Sequence, residues 1–175
     1  MNGNAADQQI KEYNDRWIIS PMRGGEVCRV IWQPNIIELI FNNSFKLTVG
    51  YDAQLSPRSL AKNAPERQTI THWAREAVEQ YLGSPVVSPV FFKSGAARIA
   101  FRNGWKLLLT DSTEASEVTL YDGETSLWTR TGLSAQTNYP IVRIDPWTGN
   151  LVTTPEWPPR PENLDIDYDS DDIND

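Results

Sequence analysis

The sequence predicts an α+β chain that is mostly antiparallel β: two duplicated three-stranded meanders with one inserted helix and extra C-terminal hairpins. Three observations carry that prediction. Shifting the chain by 60 residues lays Val27–Val49 on Val87–Leu109 without a gap. Valine recurs at 27/87 and 30/90, Phe41 at Phe101, Asn43 at Asn103, Lys46 at Lys106 and Leu47 at Leu107. Both copies alternate apolar and polar residues with period two, as half-buried strands do. Both also break that alternation with short polar turns.

The hairpin inside each copy has only one register that satisfies burial. In the second copy a two-residue turn would send the apolar residues of its two strands to opposite faces. A three-residue turn, Arg102-Asn103-Gly104, places Phe101 opposite Trp105, Ile99 opposite Leu107 and Ala97 opposite Leu109, so one face is wholly apolar. Such a turn wants a left-handed residue in its last position, where Gly104 stands. The first copy gives Phe41 opposite Phe45, Leu39 opposite Leu47 and Ile37 opposite Val49, with Ser44 in the left-handed place. Opening strands Val27–Trp32 and Val87–Phe92 precede the hairpins, turned at Pro34-Asn35 and Ser94-Gly95.

The remaining elements follow in chain order. Gln8–Ile18 is expected as a short helix. Between the copies, Ile70, Trp73, Ala74, Ala77, Tyr81 and Leu82 fall at helical spacing, so residues 69–82 are expected as a helix stopped by Gly83 and Pro85. After the second copy, Val118–Tyr121, Asp122-Gly123 and Thr125–Thr129 read as a hairpin. Ile141–Ile144 and Leu151–Thr154 read as a further strand pair around Pro146–Asn150. Pro155, Pro158, Pro159 and Pro161 favour extended polyproline backbone. Residues 1–160 are expected to form one domain and 161–175 an acidic disordered tail, because Asp165–Asp175 has too little apolar content to order itself.

Charge separates along the same line. The net charge is −7, with 23 acids and 16 bases. Seven acids and no base follow Arg160, which leaves a body of 16 acids and 16 bases. A neutral body lacks the clustered cationic excess that displaces counterions from nucleic acid, so no nucleic-acid partner is expected. No apolar run reaches the ~20 residues of a membrane span. The N-terminal residues do not read as a signal peptide, and the single cysteine, Cys28, admits no internal disulfide. The cytoplasm is the expected compartment.

The chemistry-bearing residues are few. His72 is the one histidine and is read as structural, as is Cys28, placed in a strand beside Val27 and Val30 with the inertness of a buried thiol. A Cys28–His72 dyad is the rejected alternative. Zinc is disfavoured without a CxxC pair or a second histidine, Arg23-Gly24-Gly25 lacks the setting of a phosphate loop, and no cofactor or catalytic residue is assigned. Asp165, Asp167 and Asp169 have calcium-like spacing, but the glycine and terminal glutamate of a calcium loop are missing. Glu114, Glu117, Asp122 and Glu124 are explained as the outer face of a hairpin. Trp32, Trp73 and Trp105 fall on faces assigned to the core. Trp147 and Trp157 lie in turn-rich and proline-rich segments, where they either fold back on the body or form a contact surface.

The hairpin pattern F-x-N-x-[FW]-K-L-x-[VL], repeated and followed by Glu114–Leu127, resembles small β-rich immunity proteins encoded beside bacterial polymorphic toxins. The resemblance covers roughly residues 25–130; the inserted helix and the C-terminal extension depart from it. It implies a cytoplasmic, non-catalytic inhibitor that occludes the active site of one toxin domain. The implied partner is a toxin with a basic surface, met by Trp157 and by Asp165, Asp167, Asp169, Asp171 and Asp172. A phage- or plasmid-encoded inhibitor or adaptor is the first alternative, and a carboxylate-based hydrolase the second.

Overall fold

Each meander lies in a different sheet, and each sheet borrows its next strand from the other half of the chain. The computed structural model describes residues 8–57, 66–112 and 114–161. The first meander is β3 (Val27–Gln33), β4 (Ile36–Phe41) and β5 (Phe45–Val49); the second is β8 (Val86–Phe92), β9 (Ala97–Phe101) and β10 (Lys106–Leu109). After β5 the chain crosses to β6 (Gln54–Ser56), which pairs with β10, Leu55 opposite Leu107. After β10 it crosses back to β11 (Thr119–Asp122), which pairs with β5, Leu120 opposite Leu47. The two halves therefore exchange their fourth strands.

Four more elements enlarge the sheet of the second meander: β1 (Ile10–Glu12), β2 (Arg16–Ile19), β7 (Gln68–Thr69) and β14 (Ile141–Arg143). Two more, β12 (Thr125–Thr129) and β13 (Gly132–Leu133), extend the sheet of the first. The orders are β14-β1-β2-β8-β9-β10-β6-β7 and β13-β12-β11-β5-β4-β3. Only β1 and β14 run parallel; the other named pairs are antiparallel. A single buried apolar cluster takes residues from both sheets, including Leu39, Leu47, Ile99, Leu107 and Trp128. Fully burying a side chain of this kind is worth roughly 1.5–3 kcal/mol, which is why the apolar alternation dictates register.

The hairpin registers are those the burial pattern demands. Ile37 faces Val49 and Leu39 faces Leu47; Ala97 faces Leu109 and Ile99 faces Leu107. Ser44 and Gly104 both have left-handed backbone, with φ of 78° and 93°. The opening strands need a correction of one residue. Val27 pairs with Phe41 and Val86 with Phe101, each followed by a bulge, so these strands correspond at an offset of 59 rather than 60. The missing residue is restored in the next turn: Gln33 pairs with Ile36 across Pro34-Asn35, whereas Phe92 donates its N–H to Ala96 across a longer loop.

One helical expectation is overturned and the other is shortened. Gln8–Ile18 is not a helix: β1 and β2 form a hairpin, closed where the Tyr13 N–H donates to the Arg16 carbonyl across Asn14-Asp15. Asn-Asp is a turn signal, and the face turned to the core is that of the paired Ile10 and Ile19, with Ile18 buried on the other face. The 69–82 helix shrinks to α1 (Arg75–Leu82), preceded by a 3-10 turn at Ile70–His72 and by β7. Trp73 and Ala74 are extended, with ψ of 151° and 144°, while Gln68 and Thr69 pair with β6 and the Ile70 N–H donates to the Ala53 carbonyl, which anchors this segment to the other crossover. The expected pair at 141–154 is reduced to a single bridge between Ile144 and Leu151; β14 instead pairs with β1.

Candidate functional site

The correspondence at an offset of 59 extends upstream of the meanders, and there the halves stop matching. Along the outer edge of β8 lies β2, with Trp17 opposite Phe91 and Ile18 opposite Val90. The residues corresponding to Arg16–Ile19 are Arg75–Val78, which form the start of α1, and α1 packs along β3. One half extends its sheet edge with a strand; the other covers it with a helix, a known way of blunting an edge. Each arginine lies over an aromatic ring of the strand beside it, though at positions one residue apart in the correspondence. The Arg16 guanidinium lies 5.2 Å from the Phe92 ring centre and that of Arg75 4.9 Å from the Trp32 ring centre.

A helix cannot complete a strand's hydrogen bonds or cover both its faces. Val90 and Phe91 are 1% and 0% exposed under β2, whereas Ile31 and Trp32 remain half-buried beside α1. The surface so opened is aromatic. The Tyr81 ring on α1 stacks on Trp105 at 3.7 Å with an interplanar angle of 10°. Trp73 stands edge-on to both, at 5.8 Å from Tyr81 and 5.2 Å from Trp105. His72, exposed, meets Trp73 edge-on at 5.0 Å. The assignment of Trp32, Trp73 and Trp105 to the core needs correcting: all three pack against the core from its margin and are half-buried. The counterpart of Trp105 in the first half, Phe45, is fully buried, with Tyr139 stacked 6.4 Å away. A bulky indole where the other copy has a phenyl ring was the sequence signal of this ledge, and hydrophobicity alone assigned it to the interior.

Trp157 folds back onto the body, half-buried between two cations. Lys93 Nζ lies 4.8 Å from its ring centre and the Arg143 guanidinium 4.4 Å. Lys93 also pairs with Glu12 Oε2 at 2.7 Å and sits 5.3 Å from the Trp17 ring. Arg143 donates to the carbonyls of Thr154 and Pro155, which fastens the proline-rich segment to the eight-stranded sheet. Trp147 is half-buried, with the Arg160 guanidinium 5.4 Å from its ring centre. Asp165, Asp167, Asp169, Asp171 and Asp172 lie outside the described residues.

Cys28 is exposed, not buried: it occupies the bulge between Val27 and Arg29 and donates its thiol to the Ile40 carbonyl at 3.4 Å. No hydrogen bond joins it to His72 among the described residues. Nor do three His, Cys, Asp or Glu side chains among the described residues gather to hold a metal. No described helix is long and apolar enough to cross a membrane.

The perturbed ionisable groups serve the fold. Arg130 ties the β10–β11 crossover to the turn after β8, donating to the carbonyls of Ser116 at 2.7 Å, Gly95 at 2.8 Å and Thr110, and the Ser116 N–H joins that crossover to the other by donating to Asp52 at 3.0 Å. Burial lowers its pKa, and the charges of Asp52 and Asp111 oppose that. For Asp52, burial pulls upward, but hydrogen bonds from the Ser116 side chain and N–H and from its own N–H, with the Arg130 charge, hold it below its ordinary value. Burial, then the hydrogen bond and charge of Asp122, raise the Tyr139 phenol.

No protein-family model, curated protein or solved structure matches this chain.

Proposed function

We propose that this chain is an immunity-type protein, acting in the cytoplasm, that binds a cognate toxin domain and occludes its active site without chemistry of its own. The observation that carries this reading is the aromatic surface around α1, where Trp73, Tyr81 and Trp105 pack together half-buried and the exposed Arg75 lies over the half-buried Trp32. Tryptophan, tyrosine and arginine are the residues in which interface energy concentrates, because each offers large, stiff or planar contact area at low entropic cost. The acidic residues after Arg160 support the second part of the reading, a partner with a basic surface drawn in electrostatically.

The test is affinity for the toxin domain encoded beside this chain, with protection of growth on co-expression. Arg75→Glu and Tyr81→Ser should each weaken binding at least ~30-fold, the scale of a hot-spot loss of about 2 kcal/mol, and should abolish protection. Undiminished affinity in both variants, with their fold intact, would move the interface away from α1.

A further inference from the structure

The proline-rich segment that follows Val152 lies on the body as a peptide lies in a groove. Val152 is still paired through its backbone, donating its N–H to the Arg143 carbonyl at 2.9 Å. Residues 154–157 are held instead by side chains of the body. Arg143 donates to the carbonyls of Thr154 and Pro155, and Trp157 rests against the cations of Arg143 and Lys93. Trp157 is half-buried and is not part of the apolar core, so lifting it leaves the core closed.

The groove is positioned without the segment. Arg143 stands opposite Glu12 in the β1–β14 pair, and the Ile144 N–H donates to the Glu12 carbonyl at 2.8 Å. Lys93 is fixed by Glu12 Oε2 at 2.7 Å, by its own N–H on the Asp15 carbonyl at 2.8 Å and by the Trp17 ring. The ligand is as well prepared as the site. Proline-rich backbone is extended before it docks, so little entropy is lost on binding. A central tryptophan concentrates the contact energy.

We propose that the groove formed by Trp17, Lys93 and Arg143 is a binding site for a tryptophan-anchored, proline-rich segment, and that it takes this segment from a second copy of the chain as well as from its own. Two copies that trade segments about a two-fold axis each regain the contacts they give up. Tethering gives the chain's own segment an effective concentration on the order of millimolar. The wild-type chain therefore stays closed on itself when dilute, and exchange takes over when the chain is concentrated or its own anchor is lost. This site uses none of the α1 residues and does not depend on the toxin-binding reading.

The experiment mixes two full-length variants. Trp157→Ala keeps the groove and loses the anchor, whereas the double variant Lys93→Ala, Arg143→Ala keeps the anchor and loses the groove. Sedimentation equilibrium should find each variant monomeric alone and a heterodimer in the equimolar mixture. A second measurement needs only the first variant. A peptide of residues 153–161, titrated into the Trp157→Ala chain, should give saturable amide NMR shifts at Glu12, Lys93 and Arg143. The same peptide carrying Trp157→Ala should bind at least tenfold more weakly, and so should the native peptide to the wild-type chain, whose groove is filled. Absence of saturable shifts, or equal binding of the two peptides, would overturn the site; a mixture of folded variants that stays monomeric would overturn the exchange.

Discussion

Asn43 lies directly against the α-carbon of Gly25, so closely that a Cβ there would come within 2.4 Å of Asn43 Nδ2. The amide is held because Nδ2 donates to the Met22 carbonyl at 3.2 Å. In the other half Asn103 Nδ2 donates to the Tyr81 carbonyl at 2.9 Å. Each asparagine thus clamps its hairpin turn to the segment entering its own meander, which gives the repeated asparagine a physical role. Gly25→Ala should cost about 1–3 kcal/mol by overpacking, and Asn43→Ala about 1 kcal/mol for the lost hydrogen bond. The double variant Gly25→Ala, Asn43→Ala should cost less than the sum, since removing the amide clears the clash. Strict additivity in a denaturation cycle would mean that the two side chains do not meet.

Phe41 and Phe101 occupy matching buried sites, 3% and 2% exposed. Each change to Ala should destabilise the protein by about 3–5 kcal/mol, the range for deleting a core phenyl ring. Equilibrium unfolding in urea measures both. A near-neutral result at either position would break the equivalence of the halves.

Acid should weaken the link between the crossovers. The folded pKa of Asp52 lies below its ordinary value, so its contribution to stability is present above the unfolded value of about 4 and is lost as pH falls through the folded value. Asp52→Asn should lower the urea midpoint more at pH 7 than near pH 3, because the carboxylate takes up its proton progressively as pH falls. An equal loss at both pH values would assign the effect to packing.

Removing the residues after Arg160 takes away seven acids and no base. Exposed charges act over a Debye length of about 8 Å at physiological salt. Under the proposed function, the truncated chain should therefore associate with a toxin partner more slowly and with a flatter salt dependence, while dissociation changes little. Stopped-flow binding across a salt series decides this; identical rates with and without the segment would leave steering to the folded body.

Cys28 donates its thiol to the Ile40 carbonyl, away from the aromatic surface, so under the proposed function Cys28→Ser should retain full protection against the toxin partner. A folded Cys28→Ser variant that fails to protect would reinstate a chemical role for the thiol.

Legibility in the sequence followed the range of the interaction. Hairpin registers were readable because a slip of one residue moves Leu39 or Ile99 from the core to solvent, a local penalty that alternation alone reveals. The β1–β2 hairpin was misread because Ile10 and Ile18 suit a helical spacing as readily as two short strands, while Asn14-Asp15 carried the deciding turn signal. The length of α1 was misread because Ile70 is committed to Ala53 far away in the chain, and such a contact leaves no trace in local periodicity. The aromatic ledge was invisible for a related reason: hydrophobicity places Trp73 and Trp105 near the core but does not say which side stays open.

The sequence by itself determined the β-rich class, the duplication, the hairpin registers with Ser44 and Gly104 at their left-handed turns, and the concentration of acid after Arg160. These follow from alternation, turn stereochemistry and composition, all of which act within a few residues. Only the tertiary structure decided that the meanders lie in different sheets and exchange their fourth strands, that β2 extends β8 while α1 covers β3, and that Trp157 folds over Lys93 and Arg143. Those outcomes depend on which edge is nearest once both apolar faces have been buried together, a competition among distant segments that no single stretch of sequence contains.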